Sequence, residues 1–154
     1  WYTGLLGSPS GLPQNGTYTI YLIPSGMGTY GMTFELVTIP TDIYSAITLN
    51  GGSVQIATVA TGQNAYLTFS GTAGQVVYMK ANLPTGTASA ASVGITNPDS
   101  STLVSNYSNS TSWCWYTGAL TLTQTGNYNI YLKPNGMGTY GMTFNLTSTT
   151  QSCP

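Results

Sequence analysis

Charge is what this sequence lacks most: charged residues make up 3% of it, against roughly 25% in an ordinary soluble domain. It has no histidine and no arginine, and its charged residues are Lys80, Lys133, Glu35, Asp42 and Asp99. Two lysines cannot form the cationic patch that displaces counterions from phosphates, which excludes nucleic-acid binding. Without histidine neither a His-based triad nor a His-based zinc site can be built. Three scattered carboxylates are a poor start for a calcium cage. No catalytic, metal-ligating or cofactor-binding residue is therefore expected. No apolar run approaches the roughly 18 to 20 residues of a membrane span. The chain begins with Trp1 and shows no basic-then-apolar leader, so it reads as a processed product or a piece of a longer chain.

What is present suits a packed and sociable domain. The 154 residues are 41% hydrophobic and 12% aromatic, enough to bury a core and to argue against disorder. A formal net charge of −1 gives little repulsion between copies. The remaining polar surface is Ser, Thr, Asn, Gln, Gly and Tyr, which packs readily against more of the same. Scarce Lys and Glu, with two cysteines, point to an extracellular or cell-surface location.

An internal repeat organises the chain. WYTG occurs at 1–4 and again at 115–118, and GMGTYGMTF occurs unchanged at 26–34 and 136–144. Around the second motif, NGTYTIYLIPSGMGTYGMTFEL (15–36) matches TGNYNIYLKPNGMGTYGMTFNL (125–146). The offsets differ by four residues, and that difference falls in the linker between the motifs, as expected of a surface loop. Residues 41–114 have no counterpart before the first copy. Residues 41–154 thus read as a complete module with a C-terminal tail, and residues 1–40 as the back half of a preceding one.

Both copies read as strands. Tyr18–Leu22 and Tyr128–Leu132 are β-branched and aromatic, and each is expected to stop at a proline, Pro24 or Pro134, followed by a turn signal. Tyr30–Leu36 and Tyr140–Leu146 then form return strands with Tyr, Met, Phe and Leu on one face. The expectation is a hairpin with one apolar face, requiring a second sheet to cover it. Further strands are expected at Ile43–Leu49, Ser53–Ala60, Asn64–Ser70, Gln75–Leu83, Ala91–Thr96, Thr102–Asn106 and Gly118–Thr123, punctuated by Gly and Asn-Pro turns. No segment has helical periodicity. The fold class is all-β, an antiparallel jelly-roll-like β-sandwich with an extra half-module at the N-terminus.

The stretch TGQNAYLTFSGTAGQ (61–75), then ITNPDSSTL (95–103), GALTLTQTGNY (118–128) and the strand–Pro–x–Gly close at 130–141 carry a family resemblance. In that order and spacing they resemble tandem modules of large bacterial cell-surface proteins, including some with YD/Rhs-type repeats. The layout is also similar to bacterial pre-peptidase C-terminal domains. The resemblance covers 41–147, with 1–40 matching the close alone. It implies a β-sandwich used as an extracellular stalk or surface module, without catalysis of its own, and it transfers no site residue.

Several residues are candidates for chemistry, each with a blander reading. Cys114 and Cys153 lie 39 residues apart; they could pin the C-terminal tail to the module, bridge two chains, or stay free. Trp113, Trp115 and Tyr116, with Trp1 and Tyr2, could stack on sugars, but alternate aromatics on a strand more often enter a core or a subunit contact. Together with Tyr30, Met32 and Phe34 they are the candidate subunit-interface residues. Sequons stand at Asn15, Asn106, Asn109 and Asn145, some of which arise by chance in a Thr/Ser-rich chain. Lys80 and Lys133 could in principle enter isopeptide crosslinks, yet residue 133 is Ile23 in the other copy, so they read as solvated lysines. GMGTYGM lacks the lysine and helix of a phosphate loop.

The expectation for function follows from the half-module. An apolar strand pair without its flanking strands must be covered, either by residues 41–154 of the same chain or by a neighbouring copy, and a neighbour that does so repetitively makes a fibre. The chain is therefore expected to be a structural subunit of an extracellular filament or cell-surface fibre whose partners are copies of itself. A carbohydrate- or surface-binding module using the Trp/Tyr cluster, with a glycan ligand, is the alternative. An enzyme is not expected, because general acid–base groups are nearly absent.

Overall fold

The computed structural model describes residues 14–34, 36, 38, 40–108 and 113–153, with the side chain of Leu83 left out. The chain divides into two compact units, Trp1–Thr38 and Ile39–Pro154.

The second unit is all-β, with no helix among the described residues. Its strands are β1 (Ile43–Ala46), β2 (Val54–Ala57), β3 (Ala65–Gly71), β4 (Val76–Gly86), β5 (Ala90–Thr96), β6 (Thr102–Ser108), β7 (Cys114–Tyr116), β8 (Leu120–Thr121), β9 (Gly126–Asn135) and β10 (Tyr140–Thr147). They form two sheets, ordered β1-β3-β9-β5-β6 and β2-β10-β4-β7, with β8 also paired to β4. The wrap is a jelly roll: β2 and β3 pair with β10 and β9, which pair in turn with β4 and β5. No helix is long and apolar enough to cross a membrane among the described residues.

Period-two alternation places the core. β3 alternates buried and less buried positions along its length, as a strand with one covered face must. Leu67, Phe69, Val93, Ile95, Tyr128, Ile130 and Leu132 from one sheet meet Ile56, Val77, Met79, Met142, Phe144 and Leu146 from the other in one buried cluster. Each large side chain so covered contributes about 1.5–3 kcal/mol.

Four expectations are corrected. β9 and β10 are not a hairpin: they lie in opposite sheets, each between two neighbours. The turn at Asn135–Thr139 is an arch across the sandwich, so the apolar faces of the two strands look at each other instead of sharing one side. The sandwich is not wholly antiparallel, because β1 pairs parallel to β3; the chain crosses to the other sheet as β2 before returning, and that crossover reverses the sense. Pro134 does not stop β9, which runs to Asn135. Pairing with β3 ends at Leu132 while pairing with β5 continues past it, so proline sits where the strand has one neighbour. Finally, the first unit has no strand among its described residues, although Tyr18–Leu22 and Tyr30–Leu36 read as strands. Strand hydrogen bonds need partners, and the strands that flank β9 and β10, namely β2, β3, β4 and β5, have no counterpart in its sequence.

Candidate functional site

The two copies of one sequence occupy two environments, and that contrast locates the site. In the second copy Tyr140, Met142 and Phe144 lie on β10, between β2 and β4, and are 4%, 0% and 0% exposed. Their counterparts Tyr30, Met32 and Phe34 are 63%, 45% and 50% exposed. Tyr18, Ile20, Leu22 and Leu36 are also exposed, where Tyr128, Ile130, Leu132 and Leu146 are buried. Among the described residues the first unit thus exposes many large apolar side chains, Tyr21, Ile23 and Met27 among them, the kind of surface that marks an interaction site.

The local geometry of the first copy is nonetheless that of the second. The Tyr128 hydroxyl donates to the Gln124 carbonyl at 2.7 Å and accepts from the Gln124 amide at 3.0 Å. Tyr18 makes the same pair with Gln14, at 2.6 and 3.3 Å. At the arch, Gly136 and Gly138 have positive φ, and so do Gly26 and Gly28, a conformation that glycine adopts without penalty. The Gln-x-Gly-x-Tyr pattern shared by 14–18 and 124–128 was the available signal for this corner, and reading the strands alone passed over it.

Glycine 141 shows what the first copy is missing. A Cβ there would lie 2.7 Å from the Ala57 Cβ and 2.7 Å from the Thr85 Oγ1, on β2 and β4, so only glycine lets the three strands close up. The same glycine stands at 31, where a Cβ would meet nothing within 4 Å among the described residues. Likewise a Cβ on Gly138 would strike the 87–88 backbone, and one on Gly28 would strike nothing. Among the described residues nothing near Gly31 requires a glycine, whereas its counterpart Gly141 is hemmed in on both sides.

The cysteines are joined to each other within the chain, with Cα atoms 5.8 Å apart. The bridge ties the segment after β10 back to β7. Trp113 and Trp115 come together with ring centres 6.1 Å apart and planes tilted by 47°. Both are half-buried against the core, so they present no flat paired platform, whereas Tyr116 is exposed. Among the sequons, Asn15 and Asn106 are exposed, and half-buried Asn145 donates to the Ser53 Oγ at 3.4 Å. Trp1, Tyr2 and Asn109 lie outside the described residues.

Asp42 and Asp99 do structural work, and Glu35 lies outside the described residues. Asp42 accepts from the Asn64 backbone amide at 2.8 Å and from its side chain at 3.3 Å. Asp99 accepts from the Ser101 hydroxyl at 2.6 Å, the Ser101 amide at 2.9 Å and Gln124 Nε2 at 2.6 Å. Those hydrogen bonds, first of all that from the Ser101 side chain, hold its carboxyl below the usual value. Burial pushes the Tyr66 hydroxyl up, with the nearby Asp42 charge and Tyr44 adding to the rise. Among the described residues no group of three His, Cys, Asp or Glu could hold a metal ion.

No protein-family model matches the chain, and no curated protein matches it in sequence. Among solved structures it is similar to Aeromonas hydrophila PliG, a periplasmic lysozyme inhibitor of g-type lysozyme, at 15% identity and a TM-score of 0.44. That match spans 68% of this chain and 98% of the other. It is also similar to the pre-peptidase C-terminal domain of collagenase from Bacillus anthracis, at 12% identity and a TM-score of 0.46, over 68% of this chain and 96% of the other.

Proposed function

We propose that the chain is a structural subunit of an extracellular filament or cell-surface fibre. Its N-terminal strand pair is completed, head to tail, by strands of the adjoining unit, and it carries no catalysis of its own. The observation behind this reading is the glycine at 31, with the exposed apolar row on either side of it: a segment shaped for flanking strands and lacking them. Joining one unit's strands to the next unit's sheet is a head-to-tail contact that does not close on itself, which is the geometry of a fibre. An intrachain disulfide fits an oxidising location outside the cytoplasm.

Sedimentation velocity over a concentration series, with electron microscopy of the same samples, tests the proposal. The chain is expected to form elongated species as its concentration rises, and a Met32→Asp/Phe34→Asp variant is expected to stay monomeric. A wild-type chain that is monomeric throughout, with its disulfide reduced as well as intact, sinks the fibre.

A further inference from the structure

The sequence carries the closing segment twice, at 15–36 and 125–146, and among the described residues there is one frame to receive it. The frame is β1 to β8; the resident pair is β9–β10, and the N-terminal copy is the other. At 15–36 the copy repeats the resident's buried Tyr, Ile, Leu, Met and Phe positions. It also keeps the glycine that clears Ala57 and Thr85 and builds the same tyrosine corner. We infer that the frame of a second copy is a binding site for the N-terminal pair, by strand exchange, and that the Cys114–Cys153 bridge keeps this site closed. The inference rests on the proposed fibre reading and specifies its partner and its regulation.

Two features distinguish the rival pairs. The first is charge. Asn145 on β10 stands directly opposite Lys80 on β4, and the sequence counterpart of Asn145 in the N-terminal copy is Glu35. An incoming N-terminal pair in the resident's register therefore sets a carboxylate across from Lys80, where side chains on opposed strands interact. In a chain with two cations and three acids, that is a specific mark of the occupant.

The second is the bridge. β8, β9 and β10 all lie inside the covalent loop closed by Cys114 and Cys153, so an intact bridge tethers the resident pair to β7 at both ends and opposes its leaving the frame. The N-terminal copy has no cysteine to make an equivalent bond. The bridge forms when the two thiols give up two protons and two electrons to a disulfide oxidant of the compartment, and it reopens when a dithiol returns them. Chains that meet before oxidation can link through the N-terminal copy, and chains oxidised first stay closed. Exchange conserves the number of buried pairs, and tethering gives the resident an effective concentration of about millimolar. Exchange in the reduced protein is accordingly expected to rise as the chain approaches that concentration.

The test is carbodiimide crosslinking of the full chain, which joins a lysine to a carboxylate only when they touch. Isotopically labelled and unlabelled copies are mixed, with and without dithiothreitol, and the crosslinked peptides identified by mass spectrometry. The expected result is a Lys80–Glu35 amide between labelled and unlabelled chains in the reduced sample, growing with concentration, and none in the oxidised one. Equal yields in both samples overturn the lock. No such amide in the reduced sample overturns the exchange, as does Lys80 joined to Asp42 and Asp99 as often as to Glu35, the mark of an unfolded chain. Elongated species in sedimentation without this amide leave the fibre standing and remove the exchange alone.

Discussion

The Tyr128 hydroxyl closes on both backbone groups of Gln124, donating to the carbonyl at 2.7 Å and accepting from the amide at 3.0 Å. The bond fixes how the chain enters β9, the middle strand of its sheet. Tyr128→Phe removes both hydrogen bonds from the half-buried Gln124 and should cost about 1 kcal/mol, read from urea midpoints. Tyr18→Phe removes the same bond in an exposed place, where water replaces it, and should change stability by less than about 0.5 kcal/mol.

Gly141 and Gly31 should separate folding from assembly. Gly141→Ala forces a methyl between Ala57 and Thr85 and should destabilise the module by about 1–3 kcal/mol. Gly31→Ala meets nothing among the described residues, so its denaturation curve should overlay the parent's. Concentration-dependent association should nevertheless fall sharply, because the methyl obstructs incoming strands. A Gly31→Ala chain that associates normally would show that no strand packs there.

Removing the bridge should weaken the module. Closing a loop across a separation of 39 residues restricts the unfolded chain by about 4 kcal/mol in the chain-entropy model. The Cys114→Ser/Cys153→Ser chain should show that loss, or a somewhat smaller one, in guanidinium melts.

Two groups should make stability depend on pH, with opposite signs. The folded-state value of Asp99 is depressed by its hydrogen bonds to Ser101 and Gln124. Its stabilisation is therefore present above the ordinary carboxylate value of about 3.9 and lost as pH falls through the lower folded value. Asp99→Asn should flatten that acid limb. Tyr66 is raised by burial, so its contribution is complete below about pH 10 and fades as pH climbs through the higher folded value. Tyr66→Phe should flatten the alkaline limb, and ultraviolet titration should show a tyrosine ionising late.

Much of the sandwich was legible in alternating strands and Gly or Asn-Pro turns, because a strand with one covered face writes period two into its sequence. Pairing was not. β2 and β10 are Cα partners at Ala57 and Gly141, far apart along the chain, and no local signal couples them. The hairpin was misread for a similar reason: Asn135-Gly136 bends the chain equally well within a sheet or between sheets, and only the sheets on either side settle which. The cysteines announced an oxidising environment but not their partner, since three outcomes share one spacing. The candidate site was half legible. A half-module was visible in the repeat, but Gly31 acquired meaning only beside the crowding around Gly141.

The nine residues GMGTYGMTF by themselves determined a bend with left-handed glycines, since Gly26 and Gly28 adopt it as Gly136 and Gly138 do. Those conformations depend on backbone sterics within a few residues. Whether the flanking residues become strands was decided by tertiary structure alone: β10 has β2 and β4 to accept and donate its hydrogen bonds and an opposite sheet to dry its side chains. The same letters at 26–34 hold no strand and keep their tyrosine, methionine and phenylalanine in water, because a β-strand is stabilised by what lies beside it.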